Sequence, residues 1–392
     1  MEICEKNRCS GCGACNNICP QNAIRMIYKD NGFLYPEIDK EKCVNCGLCK
    51  KVCPNNINVE FHKCYGAYLY RNGNATLRKK SSSGGAFIDI ARKIVSQNGI
   101  VFGAEFDKYN NIQHNNYSNL NDVQRFCTSK YVQSDIKKSF KEVYTNLMDG
   151  KVVLFSGTPC QVAGIKSYLS IRKCNVDKLV TVDFVCHGVG SPKFWVDCLG
   201  YYSTKYKSNI LNVNFRGKPR PGKLQNLTIL FENGKRFIAP STNLELFYYH
   251  FLKNFILRES CYECKYSRKE RVSDITLADC FRTKNEHSKL LDGVGLSFLI
   301  ANSEKGRLLI EGIEENGDLM PVNIEDYIQP NMSEATPKPN AYKLFWDNYE
   351  NNGFDAALVV SGFKNRKNTL KNHLFKIAFM LRIDDLVKLI KK

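Results

Sequence analysis

Residues 9–19 carry four cysteines as Cys9-x2-Cys12-x2-Cys15-x3-Cys19, closed by Pro20. Residues 43–53 repeat the spacing as Cys43-x2-Cys46-x2-Cys49-x3-Cys53 before Pro54, 34 residues downstream. No other feature limits the folding of this chain as strongly, because eight thiols must converge on something that satisfies them. Three cysteines on one tight loop can reach three irons of a cube, and the fourth, before proline, turns away to the other cube. The spacing therefore expects one [4Fe–4S] cluster on Cys9, Cys12, Cys15 and Cys53, and a second on Cys43, Cys46, Cys49 and Cys19. Gly11, Gly13 and Gly47 let the backbone approach the sulfides, so that amide N–H groups can donate to them. Zinc also takes four thiolates, but its modules show paired C-x2-C knuckles rather than a run of three and a Cys-Pro.

The repeat is the pattern of a bacterial-type two-cluster ferredoxin, and it accounts for about residues 1–61. The other 330 or so of 392 residues need another explanation. At 43% hydrophobic the chain can bury a full core, and its length points to two or three domains. It has 18 cysteines. The opening MEICEKNRCS does not read as a signal peptide, and the apolar runs are too short to span a bilayer. The expectation is therefore a reducing compartment, the cytoplasm, with thiols engaged in metal ligation or redox work and no transmembrane segment. The formal charge is +18. The basic residues are spread along the chain and no helix-turn-helix, zinc-finger or RNP pattern is present, so nucleic acid is not the expected partner. Two clusters at roughly −2 each would lower the charge to about +14, which suits an acidic partner, an anionic cofactor or a lipid surface.

Beyond residue 61 strands and helices alternate. Residues 86–99 read as an amphipathic helix closed by Gly99, and 100–106 as a strand. Residues 134–150 read as a helix capped by Ser134 and stopped at Gly150, and 151–155 as a buried strand. Another strand at 178–185 leads through CHGVGSP into a helix. The fold class expected is α/β with a mainly parallel or mixed sheet, preceded by the α+β ferredoxin domain and followed by a helical tail. The organisation reads as 1–61, 62–150, 151–325 and a basic helical tail at 326–392. Loops leaving the carboxyl ends of parallel strands form the usual ligand crevice, and both Cys160 and Cys186 sit on such loops.

The loop KKSSSGGAF (79–87) enters a helix and could hold phosphate on its N–H groups and hydroxyls, or be a linker. TSKYVQS (128–134) brings a lysine and a tyrosine together. SGTPCQ (156–161) sets small residues, a proline and a cysteine after a strand. Cys261-x2-Cys264 is a redox pair, half a zinc site or, with Cys160 and Cys186, the set for a third [4Fe–4S] cluster. Cys4, Cys64, Cys127, Cys174, Cys198 and Cys280 are left as inert thiols.

Taken in order, SSSGG, SKYVQS, LFSGTPCQVAG, CHGVGSP, C-x2-C and SDITLAD resemble the coenzyme F420 hydrogenase/dehydrogenase beta-subunit family over about residues 62–325. The resemblance implies an oxidoreductase domain that carries FAD. It implies an exchange of electrons with reduced coenzyme F420 or an organic substrate, as in the 7-hydroxymethyl chlorophyll a reductases. Other members lie among bacterial surface-polysaccharide genes. Carried over by motif, Ser82, Ser83, Gly84 and Gly85, Ser129, Lys130 and Tyr131, and Gly157, Thr158 and Gln161 would contact the flavin or its phosphates. Two departures stand out. This chain has ADCF (278–281) where the family commonly has GDFW, and Gly190 where it commonly has proline.

A flavin joined to iron–sulfur cubes converts two-electron into one-electron chemistry. The partner expected is a redox protein or a small-molecule electron donor or acceptor. Lys130 is the candidate for stabilising the negative charge of reduced flavin, against a phosphate contact or a solvated lysine. The rival is a non-catalytic electron-transfer subunit of a larger redox complex. From Phe363 to Lys392 nine Lys/Arg face two Asp, a difference of +7. Leu370, Leu374, Ile377 and Leu381 fall at helical spacing there. That tail would make weak membrane-surface contact or pack on the main domain, the second being the expectation.

Overall fold

The computed structural model describes residues 2–219, 222, 226–280, 282–364, 377–379 and 381. In the cysteine repeat, strands β1 (Ile24–Tyr28) and β2 (Leu34–Ile38) pair antiparallel, Ile24 opposite Ile38. The short helices Ala14–Ile18 and Leu48–Lys51 start at Gly13 and Gly47, each with φ of 75°. That left-handed backbone is open to glycine at little cost, and both copies use it at the same step of the motif.

The main sheet is built from β3 (Gly66–Asn72), β4 (Ile100–Phe106), β5 (Ile112–Tyr117), β6 (Val153–Ser156) and β7 (Leu179–Phe184). After an excursion through β8 (Ile210–Gly217), β9 (Asn226–Phe231) and β10 (Arg236–Ile238), it gains β11 (Ile275–Asp279), β12 (Ser297–Ala301) and β13 (Gly317–Val322). Its order is β13-β3-β12-β11-β7-β6-β4-β5. The central β4, β6, β7 and β11 run parallel, and antiparallel strands flank them on both sides. The sheet is thus mixed with a parallel centre.

Period-two alternation fills both faces. In β6, Val153 and Phe155 pack with helices Ser139–Met148 and Pro159–Ile171, while Leu154 packs with helix Ala86–Val95 on the other side. Helix Ser139–Met148 begins later than the sequence reading, and Ser134 is not its cap. Residues 132–135 stay extended because Asp135 exchanges backbone hydrogen bonds with Ile112 and His114, and the Ser134 hydroxyl accepts from Gln161.

The cysteine repeat docks on helix Pro159–Ile171. Ala14, Ile18 and Val52 share a core with Val162 and Ile165. A Cβ on Gly164 would lie 3.1 Å from the Cys12 sulfur and 3.3 Å from the Phe140 ring. A mid-helix glycine costs about 1 kcal/mol against alanine, and here it admits this close approach.

The small sheet β10-β9-β8 and helices Pro192–Tyr206 and Leu246–Leu252 enclose an aromatic core of Phe194, Trp195, Phe215 and Phe247. Helices Tyr342–Asn352 and Phe354–Val360 complete it through Phe345, Trp346 and Tyr349. This part of the expected tail is therefore core. The basic stretch from Lys364 onward, with Leu370 and Leu374 and the proposed membrane contact, lies almost wholly outside the described residues. Within that stretch, Ile377 and Leu381 are exposed. Among the described residues no helix is long and apolar enough to cross a membrane.

Candidate functional site

Three cavities collect the cysteines. Cys9, Cys12, Cys15 and Cys53 line one of about 320 Å³, together with Cys4. Cys19, Cys43, Cys46 and Cys49 line a second of about 370 Å³. Each therefore takes three thiols from one copy of the repeat and the fourth from the other. The donor sets suit [4Fe–4S] cubes: four thiols of the repeat in each cavity, a left-handed glycine beneath the loop, and the Ala23 N–H pointing at the Cys19 sulfur at 3.3 Å. Among the described residues no group of three or more His, Cys, Asp or Glu side chains closes around a single metal ion.

Cys160, Cys186, Cys261 and Cys264 line the third cavity, of about 840 Å³, with Thr158, His187, Arg258, Lys265 and Tyr266. Their elements explain the convergence. Cys160 opens helix Pro159–Ile171 just after β6, where Thr158 and Gln161 form a capping box over Pro159. Cys186 follows β7, whose Ser156–Val182 pairing aligns the two strand ends. The Cys261–Cys264 turn is tied to β7 by Arg271. Its guanidinium donates to the Tyr266 and Arg268 carbonyls, to the Phe184 carbonyl and to Asp183 at 3.1 Å. Asp183 and Arg271 are 0% and 1% exposed, and burial holds the Asp183 carboxyl above its usual range despite the arginine. Burial likewise raises the Cys160 thiol to about 11 and Cys261 to about 12 in the absence of a bound cation.

The cavities are contiguous. Ser10 and Asn55 line both the Cys9 and the Cys160 cavities. Cys15, Cys19, Cys49 and Cys53 pack in one cluster between the Cys9 and Cys43 cavities.

The residues expected around a flavin separate into two groups. Ser82 and Ser129 meet, hydroxyl to hydroxyl at 2.9 Å, and the Ser129 N–H donates to Ser82 at 2.5 Å. Arg216, 1% exposed, binds Asp279 through both terminal nitrogens at 2.6 and 3.0 Å and also donates to the Ser82 carbonyl and the Tyr131 hydroxyl. Lys218 donates to the Ser83 and Arg78 carbonyls, and Arg78 pairs with Asp292. Ser83 and Gly84 spend their polar groups on Leu296 and Ser297, while Gly85, at φ of 88°, opens helix Ala86–Val95. Gly157, Thr158 and Gln161 instead sit at the helix start above Cys160. The Lys130 ammonium is turned to the Arg125 carbonyl at 2.5 Å and lies over the Phe106 ring, and desolvation lowers it to about 8.

Arg216, Lys218, Arg258 and Arg271 were not singled out by the sequence. Apart from the Tyr266, Arg268 and Thr276 contacts of Arg271, their side-chain partners lie tens to hundreds of residues away, so no local pattern marks them. Of the thiols set aside, Cys198 and Cys280 are buried, Cys127 and Cys174 half-buried, and Cys64 exposed; Cys4 lies in the Cys9 cavity.

Residues 150–326 match the model for the C terminus of the coenzyme F420 hydrogenase/dehydrogenase beta subunit, and residues 8–57 match that of the 4Fe-4S dicluster domain. Among solved structures, a chain of the F420-reducing [NiFe] hydrogenase complex from Methanosarcina barkeri is 14% identical with a TM-score of 0.47. The match covers 77% of this chain and 94% of that one. No curated protein matches.

Proposed function

We propose that this chain, which joins a 4Fe-4S dicluster domain to a domain of the coenzyme F420 hydrogenase/dehydrogenase beta-subunit family and belongs to that iron–sulfur electron-transfer family, is an iron–sulfur flavoprotein oxidoreductase. In this reading it passes electrons between FAD and its clusters. The observation that carries the proposal is the contiguity of the three thiol-lined cavities, from Cys160 through Ser10 and Asn55 to Cys9, and on to Cys43. When bound, a flavin supplies two-electron chemistry and iron–sulfur cubes supply single-electron transport.

The chain's own residues have definable tasks. Cys9, Cys12, Cys15 and Cys53 hold one cluster, and Cys19, Cys43, Cys46 and Cys49 a second. Cys160, Cys186, Cys261 and Cys264 hold a third. Thr158, whose hydroxyl lies 3.1 Å from the Cys160 sulfur, steadies that ligand. Ser82, Ser83, Gly84, Gly85, Ser129 and Tyr131 shape the FAD site, with Gly157 and Gln161 at its far side. Support for an anionic cofactor comes from charge. Among the described residues Arg71, Arg78, Arg216 and Lys218 face Asp279, Asp292 and Asp318, four cations against three carboxylates. Desolvation, aided by the neighbouring arginines, lowers Lys218 to about 7. A diphosphate beside it would restore its proton. Lys130 is the candidate cation for reduced flavin. The physiological partner in this proposal is reduced coenzyme F420 as donor, or an organic substrate as acceptor of electrons from ferredoxin, with surface-polysaccharide synthesis as one setting.

The test is anaerobic stopped-flow with the FAD-loaded full chain and reduced methyl viologen, followed at flavin and cluster wavelengths. The reading expects flavin bleaching to follow cluster reduction. A flavin that stays oxidised while the clusters are reduced, or a chain that retains none, would favour an electron-transfer subunit with no substrate of its own.

A further inference from the structure

Arg258 is the one described arginine between the Cys9 and Cys160 cavities that is fully enclosed, at 0% exposure. Its Nε donates to the Cys9 carbonyl at 2.6 Å, and one terminal nitrogen donates to Gln133 at 3.2 Å. The guanidinium lies over the Tyr35 ring at 4.1 Å. A Cβ on Gly11 would come within 3.0 Å of it, so the first motif loop is built close against it. Its other terminal nitrogen is buried without a hydrogen-bond partner, and none of the ion pairs among the described residues includes it. Lys265, Arg8 and Glu263 line the same cavity, but Lys265 is only partly buried, Arg8 and Glu263 are exposed, and the Glu263 carboxylate makes no ion pair with Arg258.

An unneutralised buried charge is expensive, by several kcal/mol even after relaxation. Arginine stays charged at any ordinary pH. The compensating anion must therefore come from what the cavities hold. A [4Fe–4S] cube on four thiolates carries about −2, and reduction adds one more negative charge. Arg258 lines the cavity of Cys160, Cys186, Cys261 and Cys264, and its bond to the Cys9 carbonyl sets it against the first motif loop, which places it beside both ligand sets.

We propose that Arg258 is a shared counter-charge for the two clusters facing it, a positioning residue that raises both reduction potentials and so favours holding an electron on either of them over the cluster beyond. Its effect on the Cys160 cluster rests on the three-cluster reading above. Its effect on the Cys9 cluster does not. The cluster on Cys19, Cys43, Cys46 and Cys49 lies beyond the first and serves as the internal reference.

The test is an anaerobic potentiometric titration of the full chain, read by low-temperature EPR, with iron counted on the same samples. Arg258→Gln retains a donor for the Cys9 carbonyl and removes the charge; Arg258→Lys retains the charge and removes the fork. At the wild-type midpoint, Arg258→Gln is expected to lower the reduced-to-oxidised ratio of the facing clusters at least about tenfold, equivalent to 59 mV for a one-electron couple. The reference cluster should not move, and Arg258→Lys should stay closer to wild type. Unchanged potentials in Arg258→Gln with full iron would overturn the proposal, as would equal shifts in all clusters or in both variants. About eight irons in the wild type would remove the third cluster and leave the shift of the Cys9 cluster to decide the role of Arg258. If Arg258→Gln fails to fold, Arg258→Met in a chain reconstituted with iron and sulfide gives the same comparison.

Discussion

Arg271→Met is the substitution that most directly links the core of this protein to its third thiol cavity. Arg271 is 1% exposed and makes its ion pair with an aspartate that is 0% exposed. Thr276 donates to the same carboxylate at 2.6 Å. Methionine fills most of the arginine's volume but leaves Asp183 charged in a dry site and frees the carbonyls of Phe184, Tyr266 and Arg268. Breaking one side of a buried pair costs about 3–5 kcal/mol. For a domain of this size each kcal/mol shifts the midpoint by about 2–4 °C, so a fall of about 6–20 °C is expected in a thermal melt followed by circular dichroism. The Cys261–Cys264 turn should loosen as well, lowering iron from about twelve per chain towards eight. Asp183→Asn in the same chain removes the stranded charge, and the double variant should recover part of the loss. The pH dependence has a definite sign. The folded pKa of Asp183 is already raised by burial, so the native state binds its proton more tightly than the unfolded chain. Stability linked to that proton is present at acid pH and lost as pH rises through the folded value. Without Arg271 the value rises further, so the deficit should narrow as pH is lowered from neutrality. A midpoint within a degree or two of wild type, with full iron, would refute this reasoning.

Other substitutions probe separate parts of the account. Gly11→Ala forces a side chain onto a residue at φ of 67° and drives its Cβ into the Gln133 amide. The backbone alone costs about 1–2 kcal/mol, and the iron count should drop by about four through loss of the Cys9 cluster. Cys4→Ser should leave iron content unchanged, because the repeat already supplies four thiols to that cavity, whereas Cys9→Ser should lose the cluster. Lys130→Met should retain FAD and slow flavin reduction. Because desolvation lowers the Lys130 pKa to about 8, the wild-type rate should fall as pH rises through that value, while the variant shows no such step.

The parts legible in the sequence are those encoded by short-range rules. The cysteine spacing, with the glycines at 13 and 47, determines a local loop geometry, and the strand at 100–106 was readable because its apolar run is bounded by Gly99 and by Asp107. What escaped depends on distant partners. Ser134 looked like a helix cap, yet the adjacent Asp135 is claimed by the backbone of β5. Arg216 meets Asp279 across 63 residues and Arg258 meets the Cys9 carbonyl across 249. Neither stands in a pattern that separates a buried cation from a solvated one. The aromatic residues at 345–349 read as part of a tail because their partners, Phe194 and Phe255, lie far upstream.

The most direct test of the central claim is the cofactor content of the full chain purified without oxygen: iron, acid-labile sulfide and acid-released flavin on one sample. The account expects about twelve irons and about one flavin per chain. About eight irons would contradict the role given to Cys160, Cys186, Cys261 and Cys264, and a chain without flavin, even after incubation with FAD, would contradict the oxidoreductase reading itself.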